Sequence, residues 1–521
     1  MSSVNHKGWL FVGLWSTQVF AQQPNIIIIL ADDLGYSDLG CMGGEINTPH
    51  LDQLAKDGIL LTHFYTSSRS CPSRASLLTG LYQTRAGIGH MNEPSLNIPA
   101  YQGFLSNQSV TIAEILQQNG YRTLMAGKWH VGDAPEHWPN KRGFDSFYGI
   151  PSGGGIYFYP SKYLERPIYL NDEMVIPLNI DSSNPDSLWY STDAFTDYAI
   201  RFVRETVAEK ENRPFFLYLP YIAPHFPLQA HESDIDKYRN QYNQGYEAIR
   251  KERFRKQQRL GIVTPETVLS PNDFPSWDSV VDKENESKKM AVYAAQVECM
   301  DRNIGRLIDH LNQLKILDNT IIIFLSDNGA SSEMVNRSGN EPVGTAASFM
   351  SYGKSWGNVS STPYRLYKSY NHQGGLLSPC IISWKKGIAQ PGQILHQPAH
   401  IIDIMPTVLS IANVAYPQRL HDTDLYPLDG KDVSSIIKTN MYDGDRELYF
   451  QHMGNAAVIN GDWKAVMCYK GDWELYNLKN DPTELHNVCA QNAVLCDSLV
   501  KKYNHWSKEY GVLPWPLSIP Q

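Results

Sequence analysis

The sequence lacks the excess of positive charge that is typical of nucleic-acid-binding proteins. Its 521 residues include 45 lysines and arginines against 54 aspartates and glutamates, which gives a formal net charge of -9. We therefore expect no nucleic-acid partner. An acidic protein that acts on anions must concentrate positive charge locally, inside a pocket.

The sequence also lacks a Cys-x-x-Cys pair, which argues against a zinc site or a thioredoxin-like redox site. Its seven cysteines are an odd number. Cys489 and Cys496 stand seven positions apart and could form a disulfide in an oxidising compartment. The alternative is that most of the cysteines are small buried side chains.

A hydrophobic run long enough to span a membrane is missing as well. The apolar stretch at positions 8–20 is shorter than the roughly 20 residues that a span needs. Lys7 precedes it, and the small residues Val19 and Ala21 suit a cleavage site. We interpret residues 1–21 as a signal peptide and expect a secreted or periplasmic protein without a stable membrane anchor.

Apolar strands alternate with helices along most of the chain. The stretches 25–30 and 320–325 are apolar and rich in isoleucine, which suits strands buried on both faces of a parallel sheet. Residues 288–314 have apolar side chains at three- and four-residue spacing, which predicts a long amphipathic helix. This alternation predicts an α/β fold with one large sheet.

The pattern changes after about residue 438. Residues 446–469 alternate between apolar and polar, as strands do, and residues 494–510 have a helical pattern. We therefore predict a main domain at 22–437 and a C-terminal α+β subdomain at 438–521, with a small antiparallel sheet and one helix. Residues 232–287 are highly charged and interrupt the alternation, and we interpret them as a surface insertion.

Polar clusters follow several predicted strands at their C-terminal ends, the edge where open α/β sheets bind ligands. They are Asp32-Asp33, Lys128 with His130, His225, and Asp327-Asn328. Adjacent carboxylates repel each other, so a shared site usually holds a cation, and oxygen ligands suit Ca²⁺ or Mg²⁺ more than zinc. Taken singly, each residue is more often structural, and only their shared edge favours a functional site.

A separate motif begins at Ser70, where the chain reads Ser-Cys-Pro-Ser-Arg-Ala-Ser-Leu-Leu-Thr-Gly. Pro72 can begin a helix. Ser70 would then lie by a helix N-terminus, where unpaired N–H groups favour anions. From the residues alone, this segment is only a capped helix.

This motif resembles the signature of the type I, formylglycine-dependent sulfatases, in which Cys or Ser stands two positions before Pro-Ser-Arg. The resemblance implies that Ser70, and not Cys71, is converted to formylglycine by a sulfatase-maturing enzyme, as in the Ser-type bacterial members. It covers nearly the whole mature chain and places it in the arylsulfatase-like branch of the alkaline phosphatase superfamily. It implies a large, mixed, mostly parallel sheet, with 22–437 as the catalytic domain and a smaller C-terminal subdomain.

The resemblance also implies a ligand set and a group of catalytic residues. One Ca²⁺ ion would be bound by Asp32, Asp33, Asp327, Asn328 and the modified Ser70. The catalytic residues would be Ser70, Arg74, Lys128, His130, His225, Asp327 and Lys368. The family often has Glu before the Gly374-Gly375 pair, and this sequence has Gln373 there.

The resemblance implies a hydrated aldehyde as the nucleophile and a division of proton transfers. Asp327 would take a proton from the attacking hydroxyl. His225 and Lys368 would donate one to the leaving alcohol, and His130 would help to release sulfate. Arg74 and Lys128 would hold the nucleophile and balance the sulfate charge.

The substrate is the least determined property. Arg69 adjoins Ser70, Glu333 stands six positions after Asp327, and His372 precedes Gln373, and we predict that Arg69, Glu333 and His372 contact the substrate. We favour a sulfated hexose, such as galactose or N-acetylhexosamine sulfate, from host or algal glycans. The aromatic residues 157–159 could form a wall for a sugar ring or belong to the core.

Three alternatives stay open. The chain could be an arylsulfatase that acts on small aryl sulfates. It could be a phosphate or phosphonate ester hydrolase of the same superfamily, for which two zinc ions with histidine ligands would be the sign. It could also be a non-catalytic protein that binds sulfated glycans, with Ser70 unmodified.

Overall fold

The computed structural model describes residues 23–517, except 178–187, 212, 421, 443 and 445. The predicted signal peptide at 1–21 lies outside the described residues. No helix within the described ranges is both long enough and apolar enough to cross a membrane.

The described chain contains seventeen strands, which we number in chain order. The first eleven are β1 (Asn25–Asp32), β2 (Ile59–Tyr65), β3 (Arg122–Lys128), β4 (Ser146–Ile150), β5 (Ile168–Leu170), β6 (Glu173–Val175), β7 (Phe215–Pro224), β8 (Thr320–Ser326), β9 (Leu377–Ser383), β10 (Gln393–Leu395) and β11 (Ala399–His400). The remaining six are β12 (Arg419–Leu420), β13 (Thr423–Asp424), β14 (Glu447–His452), β15 (Asn455–Asn460), β16 (Trp463–Met467) and β17 (Trp473–Asn477).

Eleven strands form one large mixed sheet, in the order β10-β2-β9-β8-β1-β7-β3-β4-β5-β6, with β11 also pairing with β2. Strands β8, β1, β7, β3 and β4 are parallel to their neighbours in this run. Strand β9 is antiparallel to both β8 and β2, so β2 points in the same direction as β8. This confirms the predicted α/β fold with a large, mostly parallel sheet.

Strand β1 shows why the apolar runs form the centre of this sheet. Ile27 and Ile29 face one hydrophobic core, and Ile26, Ile28 and Leu30 face the other. All five side chains are fully buried. Because successive side chains of a strand point to opposite faces, only a continuous apolar run can bury both faces.

The described helices cover both faces of the sheet. They are α1 (Pro49–Lys56), α2 (Ser70–Thr79), α3 (Ile112–Gln118), α4 (Ser191–Ala208), α5 (Glu232–Ile235), α6 (Tyr246–Leu260), α7 (Lys283–Gln313), α8 (Gly353–Ser360), α9 (Gln373–Leu376), α10 (Ile404–Ala412), α11 (Ser435–Thr439) and α12 (Ala493–Glu509). Helices α4 and α7 contribute to one core, and α2, α3 and α10 to the other.

Helix α7 begins five residues earlier than the predicted start at residue 288. The side chain of Asp282 caps it by accepting a hydrogen bond from the backbone N–H of Asn285. The added residues 283–287 are all polar, so the apolar spacing used for the prediction could not detect them. The acidic residue Asp282, a typical N-cap, is the sequence feature that would have predicted the observed start of α7.

The charged segment 232–287 is more deeply integrated than the predicted surface insertion. Arg253 of α6 is only 1% exposed and lies 2.5 Å from Asp38 and 2.7 Å from Glu45, measured between side-chain N and O atoms. The charged composition of the segment suggested that it is exposed to solvent. The two carboxylates that Arg253 contacts, however, come from the loop after β1, more than 200 positions earlier in the chain. The ion pairs anchor α6 beside the C-terminal end of β1.

A second sheet lies near the C-terminus, as predicted. Strands β14, β15, β16 and β17 form an antiparallel meander, and residues of α12 share a hydrophobic cluster with it. Cys489 and Cys496 form a disulfide, and the other five cysteines are free. The domain boundary at residue 438 stays a prediction.

A buried ion pair joins this second sheet to the main sheet. Lys464 Nζ lies 2.7 Å from Glu484 Oε1, and both side chains are fully buried. Glu484 Oε2 accepts a hydrogen bond of 2.8 Å from the backbone N–H of Gln373, just before β9. Two buried charges therefore fix the subdomain to the segment that leads into the main sheet.

We predict that Lys464→Met lowers the free energy of unfolding by about 3–5 kcal/mol, because it leaves the Glu484 carboxylate buried without a counter-charge. Urea denaturation followed by fluorescence measures the change. Lys502→Met is the matched control, since Lys502 pairs with Glu447 at a partly exposed site and its loss should cost less than about 1 kcal/mol. Equal effects of the two variants would contradict the prediction.

Candidate active site

Parallel strands bring the predicted site residues to one edge of the large sheet. Strands β8, β1, β7 and β3 are neighbours with a common direction, so their C-terminal ends lie side by side. Strand β2 ends at this edge too and leads into α2, and the long segment between β8 and β9 returns to it. This edge thereby collects Asp32, Asp33, Ser70, Arg74, Lys128, His130, His225, Asp327, Asn328, Glu333 and Lys368.

Ser70 lies at the first position of α2, and its side chain is hydrogen-bonded to a carboxylate and to a guanidinium. Its Oγ donates a 2.7 Å hydrogen bond to Asp327 Oδ2 and accepts one of 3.0 Å from Arg74 Nε. Arg74 follows one helical turn later, so its side chain reaches the same spot. Its Nη2 also donates to Asp327 Oδ2 at 3.0 Å, which closes a triangle of three buried side chains.

Asp32 and Asp327 differ in their electrostatic surroundings. Burial opposes the charge of Asp32, but the charges of Lys128, His225 and Arg74 outweigh it and hold the pKa of Asp32 well below its usual value. Lys128 Nζ lies 2.5 Å from Asp32 Oδ2. Burial and the neighbouring charge of Asp32 raise the pKa of Asp327 to about 7. A carboxyl with a pKa near neutrality can both accept and release a proton.

Asp33 organises the opposite side of the cluster. Its Oδ2 lies 2.8 Å from Lys368 Nζ, which also lies 3.1 Å from Glu333 Oε2. Its Oδ1 accepts a 2.7 Å hydrogen bond from Asn328 Nδ2. Asp33 has a φ of 66°, in the left-handed region, so the chain turns sharply where β1 ends.

His225 directly follows β7, and hydrogen bonds at its backbone carbonyl and at its ring Nδ1 fix its position. Its carbonyl accepts a 2.8 Å hydrogen bond from the hydroxyl of Tyr157, and its Nδ1 lies 2.5 Å from the carbonyl of Phe226. Its Nε2 is thereby turned towards Asp33, with 3.6 Å to Oδ2. Burial lowers the pKa of His225 despite these carboxylates. Tyr157 and Phe158 are buried, so this aromatic stretch is core.

His130 depends on a glycine that leaves space for its ring. Its φ is 61°, and a Cβ added to Gly153 would lie only 2.2 Å from His130 Nε2. Burial, with the charges of Lys128 and Arg74, lowers the pKa of His130 well below its usual value. The imidazole is therefore neutral at pH 7 and able to accept a proton.

The carboxylate cluster fits a hard cation. Asp32 Oδ1 and Asn328 Oδ1 are buried and have no hydrogen-bond partner within the described part of the chain. Unpaired buried acceptors are costly, and a bound cation satisfies them. One ligand atom each from Asp32, Asp33 and His225 lies within 4.8 Å of the others. His225 is thus a candidate ligand that the sequence-based ligand set did not include.

Two of the three predicted substrate residues lie in a cleft above Ser70. The cleft has a volume of about 430 Å³, and Arg69, Glu333 and Lys368 are among its lining residues. Arg69 Nη2 lies 3.3 Å from Glu333 Oε1. Arg69 and Glu333 are both partly exposed, as contact with a substrate requires.

The structure does not bring His372 into the cleft where the predicted substrate contact would lie. Its side chain is fully buried, and its Nε2 lies 3.0 Å from Glu474 Oε2 in β17. It does not belong to the lining of the cleft. The chain turns between Lys368 and His372, so proximity in sequence to a cleft residue did not carry His372 into the cleft.

Four polar lining residues escaped the sequence analysis. Asn92, Glu93, Asp133 and Arg166 line the same cleft as Ser70. They lie in irregular segments outside the described strands and helices, and none belongs to a recognisable motif. Only the three-dimensional arrangement of these loops identifies them.

The arrangement is that of an enzyme site for a small anionic ester. Buried cations and carboxylates surround one serine at the closed end of the cleft, and the cleft has room for a larger group beside the anion.

The comparisons with known proteins specify the class of this enzyme. Residues 24–414 match the family model described as Sulfatase, and residues 364–508 match the model of the C-terminal region of N-sulphoglucosamine sulphohydrolase. The chain belongs to the sulfatase family and is a sulfuric ester hydrolase.

Individual relatives agree with this membership. An uncharacterized sulfatase of Schizosaccharomyces pombe is 33% identical over 96% of both chains. The arylsulfatase of Klebsiella aerogenes is 34% identical, over 80% of this chain and 92% of its own length. The crystal structure of Ps i-CgsB in complex with k-i-k-neocarrahexaose has 29% identity and a TM-score of 0.69, and the match covers 96% of this chain and 94% of that one.

We predict that Gly153→Ala lowers kcat/KM for 4-nitrophenyl sulfate by about 10- to 100-fold, because the new methyl group displaces the ring of His130, and small displacements in an active site are costly. Gly471→Ala is the control, since a Cβ there meets nothing closer than 3.2 Å and the site is remote from the cleft. Unchanged kinetics of Gly153→Ala would show that the position of this ring does not matter.

Proposed function

We propose that the protein hydrolyses the sulfate monoester of a hexose, using a formylglycine formed from Ser70 and one bound Ca²⁺. The observation that carries the proposal is the position of Ser70 Oγ, 2.7 Å from Asp327 and 3.0 Å from Arg74 at the closed end of the cleft. Formylglycine at this position would supply a hydrated aldehyde as the nucleophile, which an unmodified serine does not offer.

The charged side chains around Ser70 suit a sulfate group and its transfer. Arg74 and Lys128 are buried cations that can hold sulfate oxygens and balance the charge that develops on them. Asp327, hydrogen-bonded to the side chain of residue 70, is placed to take the proton of the attacking hydroxyl.

We assign protonation of the leaving alcohol to two further groups that line the cleft. Lys368 can donate a proton to the ester oxygen, and His225 can do so when it is protonated. Burial lowers the pKa of His225, which makes its protonated form a stronger acid but less populated at neutral pH. Neutral His130 can accept a proton during release of sulfate. These roles follow the resemblance, and the shared cleft supports them.

The metal proposal rests on the chemistry of the donor atoms. Asp32, Asp33, Asp327 and Asn328 would hold the ion with oxygen atoms, which suits Ca²⁺. When bound, it would offset negative charge on the sulfate and on the nucleophile. His225 offers one nitrogen nearby, and the described residues show no second metal-binding cluster rich in histidine, which disfavours a two-zinc phosphate or phosphonate hydrolase.

The size and lining of the cleft support a sugar as the substrate. A volume of about 430 Å³ exceeds what a sulfate group alone would fill, and polar side chains line its outer part. The similar structure that was solved with k-i-k-neocarrahexaose, a six-sugar ligand, supports the same class. The likeness to an arylsulfatase favours small aryl sulfates as the second candidate.

The direct test is to co-express the protein with a sulfatase-maturing enzyme and analyse both product and activity. We expect the peptide that contains Ser70 to lose about 2 Da through removal of two hydrogen atoms. The matured protein should release sulfate from at least one member of a panel of hexose and N-acetylhexosamine sulfates. Ser70→Ala is the inactive control. Turnover of aryl sulfates alone would support the second candidate instead.

We predict that Ca²⁺ raises the Tm of chelator-treated protein by about 2–3 °C, since a ligand at 100 times its Kd stabilises by about 2.7 kcal/mol and a chain of this length has a large unfolding entropy. Asn328→Ala should lose most of this shift, and Asp318→Asn, which changes an exposed carboxylate, should keep it. Differential scanning fluorimetry measures both variants. A shift that is equal in Asn328→Ala and wild type would contradict the assigned site.

A further inference from the structure

We infer that Asp133 and Arg166, together with Asn92, bind hydroxyl groups of the sugar ring and so determine which sulfated sugar is accepted. This inference rests on the proposed function, because it requires a sugar as the leaving group. It concerns the outer wall of the cleft, which none of the sulfate-transfer roles described above uses.

The three side chains form a polar wall in the cleft that also contains Ser70. Asn92 Nδ2 donates a 2.7 Å hydrogen bond to Asp133 Oδ1. Arg166 donates from Nε to the carbonyl of Gly153 at 2.5 Å and from Nη1 to the carbonyl of Glu165 at 3.0 Å. The wall therefore presents a carboxylate, an amide and a guanidinium in fixed positions, which offer both acceptors and donors to hydroxyl groups.

Both halves of this wall are attached to the residues around the sulfate. On one side, Cys71 adjoins Ser70, and its Sγ lies 3.6 Å from the carbonyl of His90 and 3.7 Å from Met91 Sδ, directly before Asn92. On the other side, Gly153 packs against the ring of His130 and accepts the hydrogen bond of Arg166. A sugar held by this wall would thus be held at a defined distance from residue 70.

Arg166 differs from the other cations of the cleft in having no carboxylate close enough to pair with it in the ranges that the structure describes. Arg69, Lys128 and Lys368 each lie within 4 Å of a carboxylate. No carboxylate of the described residues lies within that distance of Arg166, which donates hydrogen bonds to two backbone carbonyls. A half-buried guanidinium with this coordination keeps donor capacity for a ligand.

The acids on the same wall decide between two kinds of ligand. Asp133 and Glu93 line the cleft beside Arg166, so this wall carries no excess of positive charge. A second sulfate or a carboxylate on the substrate would approach these acids unfavourably. Neutral hydroxyl groups can instead donate to Asp133 and accept from Arg166. The ring of Phe226, which also lines the cleft, adds apolar surface for the C–H face of a sugar.

The test compares two leaving groups in the matured enzyme. We expect Asp133→Ala and Arg166→Met each to lower kcat/KM for the best sugar sulfate by about 10- to 100-fold, the range for hydrogen bonds to charged groups. For 4-nitrophenyl sulfate, which has no sugar hydroxyl, Asp133→Ala should change kcat/KM less than about 3-fold. Arg166→Met also removes a hydrogen bond to Gly153 beside His130, so its loss on the aryl sulfate should be clearly smaller than its loss on the sugar sulfate. Asp318→Ala and Arg255→Met, at exposed positions, are matched controls that should change neither value. The Tm of every variant checks that it folds.

A deoxy substrate makes the test specific for hydroxyl binding. Removing the contacted hydroxyl from the sugar should reduce the kcat/KM of the wild type by about the same factor as the side-chain substitution does. The same deoxy sugar should cause no further loss in the variant that lacks the side chain bound to that hydroxyl, because both changes remove one interaction. Additive losses, or equal losses on sugar and aryl sulfates, would overturn the inference. A preference for disulfated sugars that disappears only in Arg166→Met would also overturn it, in favour of a second sulfate as the ligand.

The same measurements separate this inference from the proposed function. If the wild type hydrolyses 4-nitrophenyl sulfate but no sugar sulfate of the panel, the proposed sugar substrate fails, and the inference falls with it. If the wild type hydrolyses a sugar sulfate but Asp133→Ala and Arg166→Met retain its kcat/KM, only the inference fails.

Discussion

The balance of buried charges at one edge of the sheet is the constraint on which the rest of the structure depends. Arg74, Lys128 and Lys368 are nearly inaccessible to solvent, as are the carboxylates of Asp32 and Asp33 that they contact. A buried charge without a partner is strongly destabilising. The strand ends, helix α2 and the segment between β8 and β9 must therefore bring both signs of charge to one place.

This balance connects stability with the chemistry of a sulfatase. Charges that compensate each other in the free enzyme are already oriented when an anionic ester enters, so little reorganisation is needed. The same surroundings give two neighbouring carboxyl groups different pKa values. The nearby cations hold the pKa of Asp32 low, whereas burial and the charge of Asp32 raise the pKa of Asp327 to about 7. Acids with different protonation behaviour can take different roles within one cluster.

The outer part of the cleft follows a different structural principle from its closed end. Strand ends and the first turn of α2 hold the residues around the sulfate position, whereas loops hold Asn92, Asp133 and Arg166. A rigid edge suits chemistry that needs fixed distances, and loops that vary in sequence suit the selection of a substrate. This division lets members of one family keep a reaction while their substrates differ.

The sequence by itself determined the local and repetitive features. Apolar runs such as Ile26–Leu30 specify strands buried on both faces, and the motif from Ser70 to Arg74, with the polar residues that follow the strands, identifies the family and most of the site. Only the tertiary structure decided which loops join that site. His372 is two positions before Gly374 of the glycine pair yet pairs with Glu474, and Arg166 lines the cleft without any motif. The physical reason is that the formation of a strand or helix follows from local patterns, whereas loop paths depend on contacts between residues far apart in the chain.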